Sequence, residues 1–237
     1  MQQLILGDCL QFMKTLESES INTIITSPPY NKKGLTGKTK PGNQVWKKFN
    51  IDYSTYNDDL PEEQYSEWMI KILDEMFRVL KKDGSVFFNH KPRRHKNIAY
   101  LPTDFISKSK LNLYQLIIWN RLSSPNIRKD ILSPCTEHIY WLCKSKPKTF
   151  KAELERNFHS EVWTINPDKN NKHPAPFPEK LVENCILLST VKHDIVLDPF
   201  CGSGTVPIIC KKLERSFIGI DIDNEYLTLS QSRLDLI

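Results

Sequence analysis

The stretch Ile195-Val-Leu-Asp-Pro-Phe-Cys-Gly-Ser-Gly-Thr205 decides the fold. Ile195 to Leu197 is a short apolar run of strand character. Asp198 to Thr205 is a turn with glycines at 202 and 204, and Val206 to Leu213 has the apolar spacing of a helix. Phe217 to Ile220 is a further strand, Asp221 stands at its end, and Glu225 to Leu236 reads as a closing helix. This order is that of a nucleotide-binding half-site, where a ligand lies at the carboxyl ends of parallel strands.

The chemistry of the turn narrows the ligand. Gly202 and Gly204 permit tight backbone and close approach of a bound molecule. A carboxylate at Asp221 suits a ribose diol, which offers two hydroxyl donors. No Gly-Lys-Ser/Thr follows, so this is not a phosphate-cradling loop. Cys201 stands where a Gly-x-Ser-x-Gly nucleophile elbow needs glycine. The glycines are sparser than in a dinucleotide fingerprint. The acids suggest a ligand without phosphates that carries positive charge. S-adenosylmethionine fits, with its ribose, adenine, α-ammonium and sulfonium groups. The competing reading is a glycine turn that only joins strand to helix.

Working outward, Leu4 to Leu6 is apolar and ends in Gly7-Asp8, and Cys9 to Leu16 has helical spacing. Ile21 to Ile25 is a strand candidate that ends in Ser27-Pro28-Pro29-Tyr30. Residues 31–57 form a long polar loop. Pro61 to Leu80 is an amphipathic helix with Trp68, Ile72, Met76 and Val79 on one face, and Lys81-Lys82-Asp83-Gly84 reads as its closing cap. Ser85 to Phe88, Leu113 to Trp119 and His138 to Leu142 are strands, residues 144–172 are polar and irregular, and Pro178 to Leu188 is a helix. Strands alternating with helices predict an α/β fold. We expect a Rossmann-like, mostly parallel sheet with helices on both faces, in one domain over residues 1–237.

The bulk numbers agree with a cytoplasmic globule. The chain has 237 residues, 39% hydrophobic and 26% charged, with a net charge of +5. A mildly basic chain suits a polyanionic partner without demanding one. Six cysteines without framework spacing imply reduced thiols. No apolar stretch approaches the length of a membrane span, and the N-terminus lacks a signal-peptide pattern.

Ser27-Pro28-Pro29-Tyr30 together with Asp198-Pro199-Phe200-Cys201-Gly202-Ser203-Gly204-Thr205 resembles the DNA methyltransferases that modify exocyclic amino groups. The tetrapeptide precedes the cofactor turn, as in the β-type, permuted subgroup. The resemblance covers most of the chain and implies S-adenosylmethionine as cofactor, double-stranded DNA as partner and a flipped-out target base. Gly7-Asp8 resembles the family's acidic cofactor contact. His173 to Leu181, with His173 and Phe177, resembles the stretch over the methionine end. Phe217 to Asp221 resembles the ribose-binding strand end. Relatives of this type are often homodimers, and some work beside a cognate restriction endonuclease. No metal is implied.

The tetrapeptide suits this chemistry. An exocyclic amino nitrogen is a poor nucleophile because its lone pair is delocalised into the ring. Acceptors on its N–H groups draw it toward tetrahedral geometry. The Ser27 hydroxyl and the Pro28 carbonyl are the candidate acceptors, the two prolines stiffen the turn, and Tyr30 can stack on the base. In the family, serine in the first position goes mostly with cytosine N4, and Asp or Asn with adenine N6. Ser27 therefore favours cytosine, by association only, with adenine as the alternative. An RNA or protein-glutamine methyltransferase would carry the two motifs in reverse order. A catalytically dead DNA-binding relic would not need all of Ser27, Tyr30, Asp198 and Asp221.

Three basic stretches, Asn31 to Phe49, His90 to Lys96 and Lys144 to Lys151, are candidate DNA-phosphate contacts or plain solvated charge. The last lies in the segment 144–172, where the subgroup carries its target-recognition element. Cys135, His138 and Cys143 offer only three zinc ligands and are set aside, as is Pro134-Cys135 as a thiol nucleophile.

Overall fold

The computed structural model describes residues 1–31, 60–95, 98–122, 132–167 and 177–237. Eight strands share one sheet: β1 (Gln2–Leu6), β2 (Ile21–Thr26), β3 (Leu80–His90), β6 (Asn112–Asn120), β7 (Thr136–Cys143), β8 (Val162–Thr164), β9 (Ile195–Asp198) and β10 (Ser216–Asp221). A separate hairpin pairs β4 (Arg93–His95) with β5 (Ile98–Tyr100). The sheet order is β1-β10-β9-β2-β3-β7-β6-β8. The first five strands in that order are parallel, β7 is antiparallel to β3 and β6, and β8 is parallel to β6. The expected mostly parallel sheet is present, with β7 its one reversed strand among those described.

The inner strands are apolar on both faces, so neighbouring residues feed opposite cores. Ile25, Phe87, Trp141 and Val196 face one cluster, with Leu181, Cys185 and Ile186 of α4 (Glu179–Ser189) and Val206 and Ile209 of α5 (Thr205–Lys212). Leu234 of α6 (Asn224–Leu234) joins them. Ile24, Val86, Phe88, Leu142 and Leu197 face the other, with Met13 of α1 (Cys9–Met13) and Phe105 of α3 (Thr103–Ile106). Tyr65, Met69, Ile72, Leu73, Met76 and Val79 of α2 (Glu62–Val79) complete that cluster at helical spacing. Among the described residues, three helices thus cover each face.

Two expectations need correction. Gly84 does not cap α2. The helix ends at Val79, Leu80 is already extended, and its N–H closes on the Met76 carbonyl. Gly84 lies in β3 beside β2, where a Cβ would stand 2.6 Å from the Asn22 carbonyl oxygen. The β2–β3 register jumps from Ile21↔Leu80 to Thr23↔Ser85, so the basic residues between them bulge out of the ladder. The segment after β7 is not irregular throughout either. It forms short 3₁₀ turns at Lys151–Glu153 and Arg156–Phe158 and then β8. Leu154, Phe158, Trp163 and Ile165 are buried there. Burying each large side chain is worth roughly 1.5–3 kcal/mol, which outweighs the segment's polar composition. The buried indoles at this edge are hydrogen-bonded: Trp163 Nε1 donates to the Phe158 carbonyl, and Trp119 Nε1 to that of Ile165.

Among the described residues no helix is long and apolar enough to cross a membrane. The loop expected over residues 31–57 lies outside the described residues except for Asn31.

Candidate active site

Parallel β1, β10, β9 and β2 bring their carboxyl ends, Leu6, Asp221, Asp198 and Thr26, to one edge of the sheet. That adjacency joins two turns far apart in sequence. Thr26 Oγ1 donates to Asp198 Oδ1 at 2.8 Å, across a separation of 172 residues. The helix α2 packs over both turns: Tyr65 Oη donates to the Pro29 carbonyl at 2.8 Å, and Trp68 meets Phe200 edge-on with ring centroids 5.9 Å apart.

The glycine turn is built tightly onto the end of β10. Cys201 N–H donates to the Ile220 carbonyl at 2.8 Å, and Gly202 N–H donates to Asp221 Oδ2 at 2.7 Å. Gly202 and Gly204 both have positive φ, 51° and 79°. A Cβ on Gly204 would fall 1.9 Å from Ser230 Oγ of α6, so that position requires glycine for conformation and for space. Arg233 Nη1 donates to the Ser203 carbonyl at 2.6 Å and pins the turn from α6. Pro199, Cys201, Ser203 and Thr205 are buried, and Thr205 opens α5. Gly7 N–H donates to the Asp221 carbonyl at 2.9 Å, which sets exposed Asp8 on the same rim. There Asp8 also caps α1 by accepting from Gln11 N–H. Phe177 is half-buried against the α4–α5 side of the core. His173 lies outside the described residues.

The acids on this rim favour a cation. Burial pushes the Asp198 carboxyl up to about 7, and the charge of Asp221 adds to that; the bonds from Thr26 and Phe200 N–H oppose it. Burial also raises Asp221 above its ordinary value, against the bonds from Asp223 and Gly202 N–H. A ligand bearing positive charge relieves both, whereas a phosphate would add like charge. The acidic rim thus suits a ligand that carries positive charge, such as the S-adenosylmethionine expected from the sequence.

The Ser-Pro-Pro-Tyr turn lies against β3 and β7. Ser27 Oγ and Tyr30 Oη are 2.8 Å apart. Tyr30 Oη receives Asn89 Nδ2 at 2.7 Å and contacts Glu137 Oε2 at 3.3 Å. The Tyr30 ring lies tilted on the His90 imidazole, with centroids 4.5 Å apart. Buried His90 has Nε2 2.8 Å from Tyr65 Oη. Asn31, buried at positive φ, exchanges two hydrogen bonds with the backbone of Leu60 and so clamps the turn to the start of α2. Glu137 is buried, yet Lys91, Arg121 and Asn89 outweigh desolvation and hold its carboxyl below the ordinary value.

The basic stretch at His90–Lys96 is therefore not a plain surface patch. His90 and Arg93 are buried. The Arg93 guanidinium pairs with Glu62 and lies over the Tyr65 ring, 4.6 Å from its centroid. Cys135 is exposed, and among the described residues no group of three His, Cys, Asp or Glu side chains could hold a metal ion.

A family model described as DNA methylase matches residues 21–232, which spans both turns and every strand of the sheet but β1. The chain belongs to this DNA methylase family. Among its relatives is the Type II methyltransferase M.HpaI of Haemophilus parainfluenzae, 35% identical over 99% of this chain and 74% of the relative. The DNA adenine methyltransferase YhdJ of Escherichia coli K12 is 27% identical over 98% of this chain and 82% of its own length. Solved structures of the same fold include the cytosine-N4-specific PvuII DNA methyltransferase. It has a TM-score of 0.78 and 23% identity over 98% of this chain and 86% of that one. Another is a modification methylase of Thermus thermophilus, TTHA0409, in complex with S-adenosyl-L-methionine. It has a TM-score of 0.71 and 22% identity, covering 100% of this chain and 94% of that one.

Sequence reading of this DNA methylase found both turns and their acids. It missed Thr26, Tyr65, Asn89, Glu137 and Arg233, which hold them. Thr26 was one residue from a motif already marked. Glu137 was not findable locally, because its contact with Tyr30 spans 107 residues.

Proposed function

We propose that this DNA methylase transfers a methyl group to the exocyclic N4 of cytosine in a base rotated out of double-stranded DNA. The methyl donor is S-adenosylmethionine, which when bound supplies an electrophilic methyl group on a sulfonium. Asp221 and Asp8 hold its ribose and adjoining groups, Asp198 and the turn from Pro199 to Thr205 shape its seat, and Phe200 and Phe177 complete it. Ser27 Oγ and the Pro28 carbonyl accept from the two N–H groups of the target amine and orient its lone pair outward. The prolines cannot donate and hold the acceptors in place. Tyr30 stacks on the base, which must leave the duplex to reach this depth. The methylated nitrogen is acidic and sheds its proton to solvent.

The observation that carries this reading is the Thr26–Asp198 bond, which seats the tetrapeptide on the strand next to the glycine turn. The choice of cytosine rests on Ser27. Adenine N6 is the second reading, favoured by the adenine-methylating relative YhdJ. Nucleoside mass spectrometry of unmethylated DNA treated with enzyme and S-adenosylmethionine tests it. N4-methylcytosine is expected, N6-methyladenine would transfer the reading to adenine, and neither product would remove it. The Type II designation of M.HpaI supports a place beside a restriction endonuclease.

A further inference from the structure

Glu137 enters the site from the reversed strand β7, and its four nearest polar contacts account for its lone pairs. Oε1 accepts from Lys91 Nζ at 3.0 Å and from Arg121 Nη1 at 2.8 Å. Oε2 accepts from Asn89 Nδ2 at 3.1 Å and meets Tyr30 Oη at 3.3 Å. A carboxylate so engaged, between two cations and 7% exposed, is neither a base for the reacting amine nor a reader of the target's edge.

Its effect is on the direction of hydrogen bonding around Tyr30. The phenol has one proton and three named partners. Asn89 Nδ2 can only donate to it. An ionised Glu137 can only accept from it. Ser27 Oγ can do either. Turning the Asn89 amide over would place its oxygen against the carboxylate, which fixes Nδ2 on that side. The assignment that satisfies all three contacts sends the Tyr30 proton to Glu137 and the Ser27 proton to Tyr30. The serine oxygen then offers only lone pairs elsewhere.

We propose that Glu137 is a positioning residue that sets Ser27 as an obligate hydrogen-bond acceptor for the target amino group, acting through the Tyr30 hydroxyl. The proposal rests on the reading of Ser27 as acceptor and extends it to a side chain outside every motif. A hydroxyl free to rotate could present its own proton to an N–H donor and so oppose binding of the reactive amine. Glu137 removes that option before the base arrives.

Glu137→Gln tests this. The substitution is made in an Asn89→Leu background and compared with that parent, because a turned Asn89 amide would otherwise accept from the new nitrogen and keep the Tyr30 proton off Ser27. Lys91 and Arg121 hold an oxygen on their side, so the new amide nitrogen faces Tyr30 and donates to it. The Tyr30 proton then turns to Ser27, and the Ser27 proton turns outward. In single-turnover transfer of tritiated methyl from S-adenosylmethionine into unmethylated genomic DNA, the rate is expected to fall by roughly 10-fold to 100-fold. Calorimetric affinity for the donor and anisotropy-measured affinity for DNA stay within about twofold. Tyr30→Phe, which keeps the ring and removes the relay, should lose rate to a similar degree. In the Tyr30→Phe background, Glu137→Gln should cost less than about a further twofold, because the two act as one unit.

Thermal melting identifies a variant that does not fold, and Tyr30→Phe then decides alone: full rate there overturns the proposal. The parent's rate in folded Glu137→Gln, a loss confined to DNA affinity, or effects that multiply in the double variant would each overturn it too. Ser27→Ala separates the two levels. If it keeps full rate, the acceptor reading itself fails. If it is inactive while Glu137→Gln is not impaired, only the role of Glu137 fails.

Discussion

Thr26 Oγ1 donates to Asp198 Oδ1, and both residues are buried, at 0% and 2% exposure. One is the last residue of β2 and the neighbour of Ser27, and the other is the last residue of β9 and the head of the glycine turn. The bond makes the two turns one mechanical unit, since neither carboxylate nor hydroxyl can move without leaving a buried polar group unpaired.

Asp198 should leave a mark on the pH dependence of stability. Its carboxyl is raised from 3.8 to about 7, mainly by burial, so the folded state keeps a proton that the unfolded state releases. Stability from this group is therefore complete below its ordinary pKa and is lost as pH rises toward about 7. Asp198→Asn cannot ionise. Relative to wild type, the ligand-free variant should gain melting temperature as pH rises across that window and gain nothing more above it. A gap that is constant with pH would show that Asp198 is not titrating there.

Donor binding and methyl transfer should separate by residue. Asp221→Ala removes a carboxylate on which Gly202 and Asp223 N–H both converge, and its calorimetric affinity for S-adenosylmethionine should weaken by about 10-fold or more. Ser27→Ala should keep that affinity and lose roughly 100-fold in rate. Equal loss of donor affinity in both variants would contradict the division.

Gly204 carries two constraints that can be measured apart. Its φ of 79° should make Gly204→Ala cost about 1–3 kcal/mol from backbone strain alone. Collision with Ser230 Oγ adds to that. Urea titration of Gly204→Ala with Ser230→Gly should recover the collision and leave the strain. A single variant as stable as wild type would refute both constraints.

Arg93 and Arg94 are adjacent in sequence and should behave differently. Arg93 is buried between Glu62 and the ring of Tyr65, so Arg93→Ala should destabilise the fold by about 3 kcal/mol. The salt slope of DNA binding should not change in that variant. Arg94 is exposed, and Arg94→Ala should leave melting unaltered. A lower salt slope in Arg93→Ala than in wild type would make it a phosphate contact after all.

The fold was legible where the chain obeys a local rule. Two-faced apolar strands, a helix with Trp68, Ile72, Met76 and Val79 in register, and glycines in a strand-to-helix turn all signal themselves within a short window. Gly84 misled because a basic run ending in glycine also describes a helix cap; what decides is the Asn22 carbonyl on a neighbouring strand. Trp163 was hidden in a polar segment because its burial depends on contact with the sheet edge, not on its neighbours in sequence. The two turns and the acids beside them were marked in the sequence, and the structure brings them to one edge of the sheet. Their supports, Thr26, Glu137, Asn89 and Arg233, have meaning only once the strands are ordered.

The reversal of β7 has an outcome of its own. A strand that runs against its neighbours delivers its beginning, not its end, to the edge where theirs finish. Glu137 is the second residue of β7, and Asn120 and Arg121 stand where β6 finishes, so one end of the β6–β7 hairpin, where Asn120 faces Thr136, borders the target turn. Asp198 and Asp221 end β9 and β10, and Asp8 follows β1, across β2 and β3 from that hairpin. Substitutions in the hairpin can therefore retune what the enzyme accepts while the machinery that holds its methyl source stays as it was.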